Sequence, residues 1–464
     1  MTAVAISEEI DLAGASIERA LAEATDDSFV LPAEFWQARP SLGQIRDAAR
    51  ARLIAPDALA GAVLARVAQY ADYRIVLPAI IGRQGSLNLI VGVAGPSGAG
   101  KGSVADESRF LLGEPETAAD FRVGEAPAGS GEGMVRAFFE VERDPDDKRR
   151  TVLTRSRESV LYRIDEGEIL RHLGARQGQT TLQVLRQMFS GEALGGSYVD
   201  ESRRSYLPPH TYRAGVLMGI QDVLAGFLLA DAAGGTPQRI LWLAAVDPGA
   251  SRDLAGLPDH PGKITWAPPS FTDPQVQRLA RPGPDGLRRV EMEVDPAISD
   301  ELQRDRLRML TGADVEALDS HRGLVQLKTA GLLAIFDGRL DVNAEDWTLA
   351  QALVDTSRAV RRWMARSIAA DDSRRDFASN EKAAVRAARV ERAKVAAVSR
   401  VDRIARVLAK RVARSPEPVS HRDLVQSVAS RDRDEYEAAR GQAIAAGWVR
   451  ETDQGFEPGD RSWQ

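Results

Sequence analysis

Hydrophobic residues along this chain group into short runs separated by polar and glycine-rich turns. The clearest run covers residues 87–93, and comparable runs cover residues 159–164 and 214–220. Runs of this length that end in turn residues are typical of strands buried on both faces of a parallel sheet. A further strand is predicted directly after Arg239. Helix-forming segments lie between these runs, so the pattern predicts an α/β fold.

Helical periodicity dominates the rest of the chain. Residues 1–85 carry apolar positions at helical spacing, as do residues 298–310. Residues 319–353 predict two helices joined by a short connection that ends in the N-cap candidate Asn343. From residue 378 to 412, alanine, arginine and intermittent valine predict one long helix with a basic face.

The C-terminal residues 399–464 have a separate pattern. Three helical segments are followed by G-W-V-R-E-T-D-Q-G-F-E-P, which predicts a β-hairpin with its turn at residues 453–455. Three helices and a hairpin in this order are typical of a winged-helix domain, a relative of the helix-turn-helix. Such domains bind DNA or contact proteins, and the sequence leaves that choice open.

Composition favours a soluble protein of two or three domains. The chain has 464 residues, 44% hydrophobic and 28% charged, which are values of a globular protein. It contains no cysteine, so disulfides and thiolate metal sites are excluded. No signal peptide or membrane-spanning run is evident, and we expect a cytoplasmic protein without membrane contact. The net charge of −6 argues weakly against nucleic-acid binding by the whole molecule, whereas residues 374–414 are locally basic.

A glycine-rich turn follows the first predicted strand and precedes a predicted helix. Glycines in such a turn let backbone N–H groups surround an anion, the helix presents its positive N-terminus, and a lysine reaches the terminal phosphates. This setting predicts a phosphate-binding P-loop. Its predicted nucleotide-binding residues are Gly95, Ser97, Gly98, Ala99, Gly100, Lys101, Gly102 and Ser103.

One position departs from the usual motif, in which a hydroxyl residue after the lysine holds Mg²⁺. Gly102 occupies that position and Ser103 follows it. Either Ser103 takes over the metal contact, or the ion is held through water and by acidic groups elsewhere. The sequence G-K-G-S also resembles the loop of nucleoside monophosphate kinases.

Polar residues follow two of the other predicted strands. The run at 159–164 ends in Asp165 and Glu166, a Walker B arrangement in which the first acid organises Mg²⁺ and the second polarises the attacking water. A solvated acidic turn is the alternative interpretation. Gln221 follows the run at 214–220 and is placed to sense a γ-phosphate or to position water.

Two arginines are candidates for contacts with phosphate. Arg239 lies immediately before a strand, from which it can reach the nucleotide of a neighbouring subunit as an arginine finger. A salt-bridged arginine at the rim of the sheet explains the position equally well. Arg322 lies near the start of the first helix of the predicted two-helix unit and is a candidate second sensor.

Taken together, the motifs resemble the helicase-like ATPase module of phage and plasmid primase-helicases, within the RecA and AAA+ P-loop class. The resemblance covers roughly residues 30–370 and depends on S-L-N-L-I-V-G-V-A-G-P-S-G-A-G-K-G-S, L-Y-R-I-D-E and G-G-T-P-Q-R-I-L-W-L. The segments H-R-G-L-V-Q-L-K-T-A-G-L-L-A-I-F and V-N-A-E-D-W look like the lid of minichromosome-maintenance helicases. No primase motif precedes the ATPase.

The resemblance implies a P-loop NTPase three-layer core with a helical N-terminal region, a helical lid and a C-terminal winged-helix domain. The corresponding segments are an N-terminal helical region (1–85), a P-loop ATPase core (86–250), a loop with the helical lid (251–370), a basic helical linker (371–398) and a winged-helix-like domain (399–464).

The same resemblance implies a function and roles for the site residues. Lys101 would hold phosphate, Asp165 the metal and Glu166 the water, with Arg239 as finger and Arg322 as second sensor. We expect an ATP- and Mg²⁺-dependent DNA motor that works as a homo-oligomer, with a hexamer as one candidate assembly. A nucleotide-gated DNA-binding regulator and a nucleotide kinase are the two alternatives.

Overall fold

The computed structural model describes residues 29–115, 121–143, 149, 151–165, 180–196, 205–312 and 316–463. The chain forms two compact units, one ending at Asp371 and the other beginning at Asp372. Part of the predicted N-terminal helical region, residues 1–28, lies outside the described residues. Among the described helices, none is both long and apolar enough to cross a membrane.

A five-stranded parallel sheet forms the centre of the first unit and confirms the predicted α/β class. Its strand order is β10-β2-β9-β6-β3. The strands of the chain are β1 (Ile75–Val76), β2 (Leu89–Ala94), β3 (Val123–Pro127), β4 (Phe139–Arg143), β5 (Thr151–Arg155), β6 (Ser159–Ile164), β7 (Leu194–Gly195), β8 (Tyr206–Leu207), β9 (Arg213–Ile220), β10 (Ile240–Ala244), β11 (Arg281–Pro282), β12 (Arg288–Glu291), β13 (Glu293–Val294), β14 (Asp341–Val342), β15 (Val449–Thr452) and β16 (Gly455–Pro458). Among the described residues, the strands outside the central sheet form small sheets of two or three.

The described helices belong to both units. They are α1 (Ala33–Gln37), α2 (Pro40–Ala51), α3 (Pro56–Tyr70), α4 (Lys101–Leu112), α5 (Gly131–Arg136), α6 (Thr180–Ser190), α7 (Gly226–Leu229), α8 (Pro274–Leu279), α9 (Pro296–Leu310), α10 (Arg322–Phe336), α11 (Ala344–Ala413), α12 (His421–Gln426) and α13 (Tyr436–Ala445).

Helices cover both faces of the central sheet. Helix α3 is buried along its whole length and lies so close to β9 that a Cβ on Gly215 would be 2.3 Å from the Ala65 carbonyl oxygen. On the opposite face, the hydroxyl of Tyr162 in β6 donates a hydrogen bond to the Met134 carbonyl of α5. Cover on both faces explains why the central strands are almost entirely apolar.

Buried cations fix the amino edge of the sheet. Arg213, the first residue of β9, donates to three carbonyl oxygens in the segment 71–75 at 2.6 to 3.1 Å. Burial lowers the pKa of its guanidinium to about 10. Lys328 of α10 donates to the Asn88 carbonyl at 3.1 Å, and the Asn88 side chain accepts from the Ala214 N–H at 3.0 Å. These bonds attach α10 to the start of β2.

The two-helix unit predicted around Asn343 is present as α10 and the start of α11. The Asn343 side chain accepts from the Asp346 N–H at 3.0 Å, and the Asp346 carboxylate accepts from the Asn343 N–H at 3.0 Å. This reciprocal pair is a capping box and confirms the predicted N-cap. Helix α11 then continues without interruption to Ala413 and contributes to both units.

The second unit contains the predicted three helices followed by a hairpin. The last turns of α11 pack with α12, α13 and the β15-β16 hairpin around a core that includes Leu408, Leu424 and Phe456. The hairpin closes at the predicted place, since Thr452 pairs with Gly455. That this unit is a winged-helix domain stays a prediction.

A buried carboxyl group near the start of α3 generates a prediction about pH. Asp57 is 4% exposed and accepts a hydrogen bond from the Leu31 N–H at 2.8 Å. Burial raises the pKa of Asp57 to about 7, against the smaller opposite effect of that hydrogen bond. The folded chain therefore keeps this proton at pH values where the unfolded chain has lost it.

We expect the Asp57→Asn variant to lose a pH dependence that the native protein has. The contribution of Asp57 to stability is fully present below about pH 4 and is lost as the pH rises through 7, by about 1.4 kcal/mol per unit. Urea unfolding of both proteins between pH 4 and pH 8 measures the difference. Parallel curves of unfolding free energy against pH would contradict this assignment.

Candidate functional site

The predicted glycine-rich loop connects β2 to α4 at the carboxyl edge of the sheet. Gly98 and Gly100 have φ values of 81° and 72°, in the left-handed region that favours glycine. A Cβ on Gly95 would lie 2.9 Å from the Cβ of Ala245, which follows β10. The loop therefore needs glycine at these three positions, for two different reasons.

Helix α4 begins with backbone donors directed toward this loop. Gly100 precedes the helix and offers no side chain to cap it. The N–H groups of the first turn have no partner within the helix, and the helix dipole adds positive potential. Gly102 and Ser103 are exposed in this turn, and no atom lies within 4 Å of a Cβ built on Gly102. An anion bound here would meet these donors.

Lys101 holds its ammonium group at the mouth of the loop. Its Nζ donates to the carbonyl oxygens of Gly95 at 2.9 Å and Pro96 at 2.7 Å. Burial lowers the pKa of Lys101, and the nearby carboxylate of Asp222 partly opposes this effect. Sequence reasoning missed Asp222, although it directly follows the predicted Gln221. The loop, Lys101 and the first turn of α4 form one cationic cradle.

The middle strand β9 brings the other predicted residues to the same edge. The Gly95 N–H donates to the Ile220 carbonyl at 3.1 Å, so Gln221 lies level with the start of the loop. Asp165 directly follows β6, which pairs with β9 on its other side. With strands about 4.8 Å apart, Asp165 is roughly 10 Å across the sheet from β2.

Lys101 and Asp165 both pack against Gly219 of β9. A Cβ built on Gly219 would lie 3.0 Å from the Asp165 carbonyl oxygen and 3.3 Å from the Lys101 Cβ. The bare backbone of β9 thus lets both residues approach the strand. No sequence motif predicted this role, because it depends on the register of three strands.

The carboxylate of Asp165 is joined to helix α4 through an arginine. Arg163 of β6 contacts Asp165 Oδ1 at 3.4 Å and Asp106 Oδ1 of α4 at 2.7 Å. The Asp165 side chain is 66% exposed and so remains open to solvent. Sequence reasoning missed Arg163, because its partner Asp106 is distant in the chain.

Metal binding by protein groups alone is not supported at this edge. Within the described residues, no group of three or more His, Cys, Asp or Glu side chains could hold a metal ion. Mg²⁺ usually keeps several waters and takes one or two carboxylates together with substrate phosphates. Asp165 and Ser103 are both exposed at this edge and offer oxygen atoms of the kind that such a shell uses. The predicted catalytic Glu166 lies outside the described residues.

Arg239 lies at the opposite edge of the sheet from Lys101. It precedes β10, where Ile240 pairs with Ile90, so Arg239 is level with Leu89. Six residues of extended chain separate that level from Gly95, which is roughly 20 Å. The Arg239 guanidinium donates to the Gly235 carbonyl of its own turn.

Arg322 lies on the same side as Arg239. Helix α10, which begins at Arg322, contacts the turn Pro237–Arg239. Burial lowers the pKa of the adjacent His321 to about 4, and the positive charge of Arg239 adds to the effect. Arg322 itself donates to Asp355 Oδ1 at 3.0 Å. The structure therefore groups the two predicted arginines with each other and not with Lys101 of the same chain.

The contact at Gly219 gives a direct test of the site geometry. In Gly219→Ala, Asp165 and Lys101 must each move by a few tenths of an ångström, and overpacking of this kind costs about 1–3 kcal/mol. We expect lower thermal stability and weaker nucleotide binding, measured by thermal unfolding and by titration with ATP. The matched control is Gly441→Ala in the second unit, where the added methyl meets open space away from this site. Equal behaviour of the two variants would contradict the proposed packing.

No protein-family model matches the chain, and no curated protein matches it. The interpretation of the site therefore depends on its own geometry. That geometry consists of a cationic cradle at the carboxyl end of β2, with Asp165 and Gln221 at the same edge of the sheet. Arg239 and Arg322 lie at the opposite edge.

Proposed function

We propose that this chain is a P-loop ATPase that works as an oligomeric motor on DNA. The observation that carries the proposal is the position of the glycine loop, between the carboxyl end of β2 and the uncapped start of α4, with Lys101 at its mouth. Ligands of open α/β sheets bind outside the carboxyl ends of the strands. The order loop, lysine and helix N-terminus suits a polyphosphate above other anions.

Each residue at the carboxyl edge receives a role in this proposal. The loop N–H groups and Lys101 bind the phosphates of ATP. Asp165, with help from Ser103, would hold a Mg²⁺ ion through its water shell, and the bound ion would supply positive charge for phosphoryl transfer. Glu166 activates the attacking water, and Gln221 senses the γ-phosphate or orients that water.

The far-edge arginines support an oligomer. Arg239 and Arg322 are too distant from Lys101 to share its nucleotide within one chain. A second copy that presents this edge to the loop would bring both guanidinium groups to the phosphates, where they stabilise transition-state charge. Repetition of such a head-to-tail contact closes a ring when the rotation allows it.

Hydrolysis should depend on the residues of the cradle. We expect Lys101→Ala and Glu166→Gln to reduce ATP turnover about 100-fold or more, with the Glu166 variant still binding ATP. Because side chains at successive helix positions differ by about 100°, Ser103 does not occupy the place of Gly102. Asp165→Asn should therefore cost more activity than Ser103→Ala. Full ATPase activity in the Lys101 and Glu166 variants would refute the site.

The same assay with and without nucleic acid separates the proposal from its alternatives. Strong stimulation of ATP hydrolysis by single- or double-stranded DNA supports the motor. Tight DNA binding that ATP modulates without turnover supports a nucleotide-gated regulator. Phosphate transfer to a nucleoside monophosphate supports a kinase, the class that the sequence G-K-G-S also suggests.

Mixed oligomers test whether Arg239 acts on a neighbour. We expect Lys101→Ala and Arg239→Ala to be inactive separately. When the two variants are co-expressed, about a quarter of the interfaces of a randomly mixed ring pair an intact Lys101 with an intact Arg239. ATPase activity should therefore reappear. A mixture as inactive as its components, in a preparation shown by mass measurement to be mixed, would place Arg239 outside the shared site.

A further inference from the structure

The segment 372–400 of helix α11 is exposed at every residue whose burial the structure describes. Its basic residues are not spread evenly around the helix. At 100° per residue, seven of its eight basic residues lie within about 120° of arc, and we call the five of these that follow residue 381 the basic stripe. The stripe consists of Lys382, Arg386, Arg389, Arg392 and Arg400. The acidic residues Asp376, Glu381 and Glu391 lie outside this arc.

The stripe places like charges next to each other. Lys382 and Arg386 are four residues apart, and Arg386, Arg389 and Arg392 follow at intervals of three. Like charges at these spacings destabilise a helix. Within the described part of the chain, no stripe residue has an ion pair or a side-chain hydrogen bond. Off the stripe, by contrast, Lys394 lies 3.9 Å from Glu391. Among the described residues, no ion pair therefore offsets the repulsion between the side chains of the stripe.

We infer that the basic stripe binds the phosphate backbone of double-stranded DNA. Four of its five residues are arginines, whose planar guanidinium suits phosphate better than an ammonium does. From Lys382 to Arg400 the helix rises roughly 27 Å, at 1.5 Å per residue. That length matches about eight base pairs at 3.4 Å each. The inference names the DNA-contacting surface of the proposed motor and, in that respect, rests on the proposed function.

The chemistry of the helix favours DNA over other polyanions. A helix that lies on an anionic membrane needs an apolar face beside its basic one. The opposite side of this segment exposes Phe377, Val395 and Val398, but Asp376 and Glu391 interrupt this apolar face, and a membrane surface would repel them. The stripe is also long and carries charge of a single sign, as does the backbone of a duplex. Because it offers no amide side chain to base edges, we expect binding without sequence preference.

The salt dependence of DNA binding by the whole 464-residue chain, measured without nucleotide, tests the inference. Fluorescence anisotropy with two unrelated 30-base-pair duplexes at several salt concentrations gives the slope of log affinity against log salt. Five phosphate contacts predict a slope that is steeper by about 4 to 5 than in a protein lacking them. Arg389→Gln should remove about 0.9 of that slope and weaken binding several-fold at 0.1 M salt. Replacement of Lys382, Arg386, Arg389 and Arg392 by Gln should remove about 3.6.

The matched control is Lys394→Gln, which removes one exposed charge from the other side of the same helix segment. It should leave the slope unchanged, because Lys394 lies about 140° from Arg389 around the helix. Glutamine has a helix propensity close to those of lysine and arginine, so circular dichroism should show equal helicity in all variants. An unchanged slope in the fourfold variant would overturn the inference, as would equal losses in Arg389→Gln and Lys394→Gln. Stripe-dependent binding to anionic vesicles or to polyglutamate, without binding to duplex DNA, would assign the surface to another partner and overturn it too.

A further variant separates this inference from the proposed function. Lys101→Ala should bind the duplex with the native slope, because Lys101 belongs to the nucleotide site of the first unit. Stripe-dependent DNA binding by a protein that hydrolyses no ATP would support the inference and refute the ATPase. Lys101-dependent ATP hydrolysis with stripe-independent DNA binding would support the ATPase and refute the inference.

Discussion

Parallel alignment of five strands is the constraint on which the rest of this molecule depends. Because every strand of the central sheet runs in the same direction, residues that follow strands collect at one edge and residues that precede strands collect at the other. Gly95, Asp165 and Gln221 belong to the first group, and Asn88 and Arg239 to the second. Helices must cover both faces of such a sheet. Chemistry is therefore confined to the two edges, and the edges carry different groups.

The middle strand sets how closely the two covering helices approach. Gly215 and Gly219 lie on the same face of β9, since side chains of a strand alternate between faces. The first allows α3 to press its backbone against the strand, and the second allows Lys101 at the start of α4 to lie beside Asp165. Packing and site geometry therefore share one cause, the absence of Cβ atoms at alternate positions of a single strand.

The parts of this arrangement that the sequence predicted are those that depend on neighbouring residues. The loop after the run 87–93 and the cap at Asn343 were predicted, because apolar runs, glycines and capping residues act within a few positions. The sequence did not predict the ion pair between Arg163 and Asp106, or the position of Arg322 at the amino edge. The first depends on strand order, and the second on the buried Lys328, which attaches α10 to the amino edge. Register and docking arise from contacts distant in sequence, which local patterns do not encode.

Burial, more than net charge, decides what the cations of this chain can do. Although the whole chain carries a formal charge of −6, two sets of its positive groups are in contrasting environments. Arg213 and Lys328 are 1% exposed and donate to carbonyl oxygens, so they stabilise the amino edge through hydrogen bonds and are closed to any partner. Among the described residues, the arginines of the basic stripe have neither burial nor an ion pair to offset their repulsion. A bound polyanion would offset this repulsion along the whole stripe at once. For this reason we expect a nucleic acid at the stripe, although the protein as a whole is acidic.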